Sequence, residues 1–134
     1  MKVLVDTSVW SLALRRSRAG ARDPAIVELR SLIDEGRVAI IGPIRQEVLS
    51  GLRTVAAFEQ LREHLHPFAD EKLETADFER AAEHFTTCRA RGIQGSNIDF
   101  LICAVAERRG LPILTTDGDF VRVARFLPIA LHGR

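Results

Sequence analysis

A chain of 134 residues suits one compact domain, 1–134, and 46% apolar against 28% charged residues is the balance of an ordinary globular protein. A formal net charge of +1 excludes a polyelectrolyte that holds nucleic acid by bulk charge alone. No apolar run is long enough to span a bilayer, Asp6 ends the first apolar stretch too early for a signal peptide, and Cys88 and Cys103 form no C-x-x-C pair. We therefore expect a reduced, cytoplasmic protein with no membrane association.

In chain order, Lys2–Val5 reads as a buried strand and Val9–Arg15 as a helix opened by Asp6-Thr7-Ser8. Arg16–Asp23 is a basic loop. Asp23-Pro24 supplies an N-cap and a first-turn proline for a helix that runs to about Gly36. Val38–Ile41 is a second buried strand, and Pro43–Leu52 and Thr54–Leu65 are consecutive helices. His66–Ala69 is a weak third strand. Glu71–Arg91 forms one long helix or two shorter ones, with Leu73, Ala76, Ala81 and Phe85 on the apolar side. After Gly92–Gly95, Ser96–Arg109 is the clearest helix, closed by basic residues and Gly110. Ile113–Thr115 is a strand, Phe120–Phe126 a short helix and Ile129–Leu131 an edge strand. Non-alternating apolar strands between helices indicate a parallel sheet covered on both faces, a three-layer α/β/α domain.

Four acids fall where strands end and helices begin: Asp6, Glu47, Asp99 and Asp117. Each has an ordinary structural use taken singly. Asp6 is a good N-cap, Ser96-x-x-Asp99 fits a capping box, Asp117-Gly118-Asp119 makes a turn, and Glu47 suits a solvated helix face. Capping alone does not require them to converge, and a parallel sheet lets all four face the crevice beyond its carboxyl edge. Several carboxylates there make a hard-oxygen site for Mg²⁺ or Mn²⁺ and point to phosphodiester chemistry. Of the 19 basic residues all but Lys2 and Lys72 are arginine, which suits phosphate contacts and equally reflects a compositional preference. Arg15, Arg16, Arg18 and Arg22 are candidates for one wall of an RNA path, with Arg45, Arg53 and Arg122 behind them. The four histidines, His64, His66, His84 and His132, lie away from the acidic motifs, against a metal-free acid–base ribonuclease.

Val-Asp6-Thr7-Ser8-Val-Trp, Glu47 in the helix after the second strand, Ile-Asp99-Phe-Leu-Ile-Cys-Ala and Leu-Thr115-Thr-Asp117-Gly-Asp119-Phe together resemble the PIN-domain nucleases, and within them the VapC toxins of bacterial toxin–antitoxin pairs. The resemblance runs over nearly the whole chain. It implies a central parallel sheet of about five strands and metal-dependent cleavage of RNA in tRNA or rRNA loops, which inhibits translation. Products would carry 5′-phosphate and 3′-hydroxyl ends. Carried over by position, Asp6, Glu47, Asp99 and Asp117 are the catalytic, metal-binding acids. Thr7, Ser8 and Thr115 support them as hydroxyls, and Asp119 assists or joins them. The resemblance further implies a VapB-type antitoxin and a homodimer, for which Val48, Leu49, Leu52, Phe58 and Leu61 offer a surface unless that stripe is core. The competing reading is a non-catalytic PIN-fold scaffold that binds RNA. A phosphoacceptor domain fits less well, since there is a single acid at Asp6 and no lysine after Lys72.

Overall fold

The computed structural model describes residues 1–15, with the side chain of Arg15 excepted, and residues 22–133. Arg16 and Arg18, with most of the basic loop expected before Asp23, lie outside the described residues. The elements are β1 (Val3–Val5), α1 (Thr7–Arg15), α2 (Pro24–Asp34), β2 (Val38–Ala39), α3 (Gly42–Ser50), α4 (Val55–Leu65), α5 (Thr75–Ala90), α6 (Asn97–Arg109), β3 (Ile113–Leu114) and α7 (Asp119–Val123). None of the described helices is long and apolar enough to cross a membrane.

The three strands are parallel, in the order β2-β1-β3, with Val3 opposite Val38 and Leu4 opposite both Ala39 and Ile113. All three residues of β1 are buried, as the unbroken apolar run requires of a central strand covered on both faces. The sheet was expected to hold about five strands. Among the described residues it holds three, and the outer two expected strands shrink to single parallel bridges, Ile40 with Asp70 and Ile113 with Leu131. Pro67 and Pro128 explain the shortening: each falls where the outer strand would begin and has no N–H to give to a ladder. What remains is Glu71 N–H to Ile40 O on one side, and on the other Ile113 N–H to Ala130 O with His132 N–H to Ile113 O.

The helix boundaries follow local chemistry. Asp23 caps α2 by accepting the Ala25 N–H at 2.9 Å, with Pro24 behind it. Thr54 accepts the Ala57 N–H to start α4. Residues Phe100–Ala106 of α6 are buried without interruption, so this helix runs through the interior, and it stops at Gly110 in the left-handed conformation (φ 65°). Among the described elements, α5 and α6 share the most extensive packing.

On α5 the buried face is not the one the apolar residues suggested. It carries Asp77, Ala81, His84 and Cys88, while Ala76 is exposed and Leu73 precedes the helix. Polar partners on α6 make this possible. Arg108 grips Asp77 with Nε–Oδ1 at 2.5 Å and Nη2–Oδ2 at 2.7 Å, and Glu107 takes Arg80 at 3.0 and 3.1 Å and His84 at 2.9 Å. Asp77 also accepts the Glu74 N–H, which closes the capping box of α5. The stripe considered for partner binding is largely interior: Val48 and Leu61 are in the core and Leu49 and Leu52 pack against it.

Candidate active site

The chain passes from β1 to β2 on one side and reaches β3 on the other, so the connections leaving β1 and β3 part company at their carboxyl ends and open a crevice there. Asp6 stands at its base. The Asp6 N–H donates to Leu114 O at 2.9 Å, anchoring the residue between β1 and β3, while the Asp6 carbonyl accepts the Val9 N–H and starts α1.

The Asp6 side chain is 4% exposed. Its Oδ2 accepts two hydroxyls, Ser8 Oγ at 2.7 Å and Thr115 Oγ1 at 2.9 Å. Ser8 Oγ in turn accepts the Thr116 N–H, and Thr115 Oγ1 accepts the Asp117 N–H at 3.0 Å. Each hydroxyl has one proton, and both protons are directed at Asp6, so the 3.3 Å approach of the two hydroxyl oxygens needs no proton of its own. The latch fixes the orientation of Asp6 and ties it to the turn that carries Asp117. Burial raises the Asp6 pKa above its usual 3.8, against the lowering pull of the two hydroxyls.

Asp99 occupies the third position of α6. Its N–H donates to Ser96 Oγ, and its Oδ2 accepts the Ser96 N–H, both at 3.1 Å. The capping box is real, and Asp99 is more than a cap. Its pKa is raised first by burial, then further by the charges of Asp6 and Asp117, so the three carboxylates share one electrostatic neighbourhood. Gly95 makes room beside them, for a Cβ there would stand 3.0 Å from the Phe100 ring.

Asp117 follows β3, and its Oδ1 accepts the Asp119 N–H at 2.9 Å. Asp119 begins α7, pairs with Arg122, and lines a small recess with Asp99, Gly95 and Cys103. Thr7 Oγ1, beside Asp6, is buried without a hydrogen-bond partner.

Glu47 is not drawn into this network. It lies on an exposed face of α3, on the helix that leaves β2, and no hydrogen bond or ion pair joins it to Asp6, Asp99 or Asp117 among the described residues. Nor are any three carboxylate, imidazole or thiol groups among the described residues gathered tightly enough to chelate an ion as the side chains stand. The chemistry of the donors still suits a small hard cation: carboxylates and hydroxyls only, crowded enough that the charged forms of Asp6 and Asp99 are disfavoured.

Arg45, a candidate for the RNA wall, is occupied elsewhere. Its guanidinium bonds Asp70 Oδ1 and Leu65 O, each at 3.0 Å, and Phe68 O, so it ties the end of α4 to the Asp70 bridge. We expect Arg45→Ala to cost about 2 kcal/mol in urea unfolding while leaving the active-site chemistry unchanged. Of the histidines, His84 bonds Glu107, His132 bonds Glu28 at 2.9 Å, and His64 and His66 are exposed. Trp10 and Phe120 are core residues, 5% and 1% exposed.

A family model described as PIN domain matches residues 3–126. "Ribonuclease VapC11" of Mycobacterium tuberculosis is 33% identical over 127 residues, covering 92% of this chain and 92% of that protein. Among solved structures, VapBC2 from Rickettsia felis bound to a DNA fragment from its promoter aligns at a TM-score of 0.76 and 18% identity, covering 98% of both chains. FitAcB from Neisseria gonorrhoeae aligns at 0.74 and 23%, covering 96% of this chain and 95% of that one.

Proposed function

This chain belongs to the PIN domain family and, within it, to the VapC ribonucleases, and from that premise we propose that it is a divalent-metal-dependent endoribonuclease, the toxin of a toxin–antitoxin pair. The observation that carries the reading is the latched Asp6 at the base of the crevice, sharing its electrostatic neighbourhood with Asp99 and Asp117. Asp6, Asp99 and Asp117 would hold Mg²⁺ or Mn²⁺. Glu47, one turn into α3, would join them by turning its side chain. A bound divalent ion supplies positive charge against the phosphate and lowers the pKa of water at the scissile bond.

The residues of the chain do the positioning. Ser8 and Thr115 hold Asp6 in one orientation, and the Asp119 N–H does the same for Asp117. Ser96 fixes Asp99 through the capping box. Three acids in one crevice repel an RNA backbone, so RNA binding and cation binding are linked: each favours the other. Arg122, 60% exposed on α7 and paired with Asp119, is the basic side chain nearest in connectivity to the acids and the best candidate for a phosphate contact.

The substrate is RNA with an accessible single-stranded segment, such as a tRNA or rRNA loop, and its cutting would inhibit translation. The whole reading takes 1–134 as one domain, acting in the cytoplasm, as a homodimer, and held inactive by a VapB-type antitoxin. The apolar furrow between α1, α2 and α4, where Leu14 and Ile33 remain partly exposed, is the face best suited to an antitoxin helix, since the α3–α4 stripe is used internally.

The test is incubation of purified protein with end-labelled tRNA and rRNA fragments in EDTA, Mg²⁺ or Mn²⁺. We expect cuts at few positions, dependent on the cation and restored after EDTA by excess Mg²⁺, with 5′-phosphate and 3′-hydroxyl ends. A 2′,3′-cyclic phosphate would overturn the metal-dependent route. A folded protein that binds RNA and cuts none would establish the scaffold reading instead.

A further inference from the structure

A second recess lies beside the acids. It has a volume of about 460 Å³ and is walled by α3, α5 and α6. Its position follows from the sequence of two of those helices: Gln46 precedes Glu47 on α3, and Asn97 lies two residues before Asp99 on α6. The third wall contributes Phe78 from α5, over a floor of Ala81, Ile98 and Leu101.

Phe78 is singular among the seven phenylalanines. Phe58, Phe85 and Phe126 each carry an arginine over the ring, from Arg62, Arg89 and Arg91. Phe68 packs edge-on against Trp10, Phe100 against Phe85, and Phe120 is 1% exposed. Phe78 is 53% exposed and, among the described residues, has neither a ring nor a cation against it. Leaving an aromatic face open to water forgoes the burial that the other six obtain. Gln46 and Asn97 are exposed as well, and neither side-chain amide has a hydrogen-bond partner among the described residues. Each offers a carbonyl and an NH₂ group in one plane.

An open phenyl face flanked by two uncommitted amides, over a floor of small and aliphatic side chains, has the chemistry that recognises an unpaired base: a face to stack on and groups that both donate and accept along its edge. We propose that this recess holds a nucleobase of the RNA adjacent to the bond that is cut, with Phe78 stacking on it and Gln46 and Asn97 reading its edge. The assignment of RNA as the ligand rests on the ribonuclease reading, and the recess would set sequence preference rather than perform the chemistry.

The four ribonucleosides serve as first probes, because they carry no phosphate to be repelled by the acids and no bond to be cut. Titrated into the wild-type chain, they are expected to move the methyl NMR signals of Ala81, Ile98 and Leu101, with one base stronger than the rest. Phe78→Leu, an exposed change that should leave the unfolding midpoint in place, is expected to abolish the shifts, and Phe78→Trp to keep them. On cleaved RNA, Phe78→Leu is expected to lower kcat/KM about ten-fold at preferred sites, mainly through KM, and to leave weak sites unchanged.

Nucleoside binding without any RNA cleavage would sink the ribonuclease reading and leave the recess as a base site. Cleavage with an unaltered pattern in Phe78→Leu would overturn the recess and leave the nuclease. Absence of shifts with all four nucleosides overturns it too. So does a Phe78→Leu chain that sediments as a monomer where the wild type is a dimer and binds no nucleoside, since the recess would then be a contact between copies.

Discussion

An Asp6→Asn chain is expected to lose RNA cleavage by at least about a hundred-fold and yet to be more stable than the wild type at neutral pH without divalent cations. The substitution keeps the shape of the side chain, and its amide oxygen can still accept the Ser8 and Thr115 hydroxyls that bond Asp6 Oδ2 at 2.7 and 2.9 Å. What disappears is a charge that burial disfavours. Because the folded Asp6 pKa lies above 3.8, the folded protein holds its proton longer than the unfolded chain does. Wild-type stability therefore falls as pH rises from about 4 through the folded value and then levels off. The asparagine chain escapes that fall, and Asp99 is relieved of one of the charges that raise its own pKa. Thermal unfolding in EDTA should give equal midpoints near pH 4 and a gap of a few degrees at pH 7. Mg²⁺ or Mn²⁺ should raise the wild-type midpoint and leave the variant where it was. Equal stabilisation of both chains by the cation would mean that Asp6 is not a ligand.

The second large effect lies away from the acids. Asp77→Ala is expected to cost about 3 kcal/mol, or a fall of roughly 10 °C in Tm. Asp77 is 1% exposed, bonds Arg108 twice and closes the capping box of α5, so the change removes a cap and leaves a guanidinium facing an apolar gap. Arg108 depresses the Asp77 pKa below 3.8. The stability this pair contributes is thus complete above about pH 4 and is lost as pH falls through the lower folded value. Urea unfolding at pH 7 and below pH 3 checks it: the gap between wild type and variant should be full at the first and much reduced at the second. Asp77→Asn, which retains an acceptor for the Glu74 N–H, should lie between them. A gap that persists unchanged in acid would assign the loss to packing instead.

The two variants also mark where the sequence was readable. Asp6, Asp99 and Asp117 were legible because each sits at a boundary between an apolar run and a helix start, and the parallel order of the strands then brings them to one edge. Glu47 had no such anchor: a residue inside a helix has a rotation and a reach that spacing does not determine, and it lies outside the network. On α5 the periodicity of apolar residues pointed to the wrong face. Asp77 and His84 count as polar in any hydropathy pattern, and their burial depends on Arg108 and Glu107, residues 23 to 31 positions away on α6. The outer strands were read as strands from β-branched and aromatic residues, while pairing is decided by how many N–H groups the flanking prolines leave to the ladder. The Arg45 clamp was hidden for a similar reason, since its acceptors are main-chain carbonyls that every residue possesses.

The latch on Asp6 joins residues 109 positions apart in the chain. Its first member is among the earliest residues made and its last belongs to the final strand, so no amount of local folding assembles it during synthesis. Until Thr115 has cleared the ribosomal tunnel, Asp6 has no β3 beside it, its N–H lacks the Leu114 carbonyl, and the turn that holds Asp117 does not exist. A nascent chain is therefore harmless to the ribosome and tRNAs that are making it. Activity arrives only with the nearly finished polypeptide, at the moment when a partner protein in the same cell can meet it.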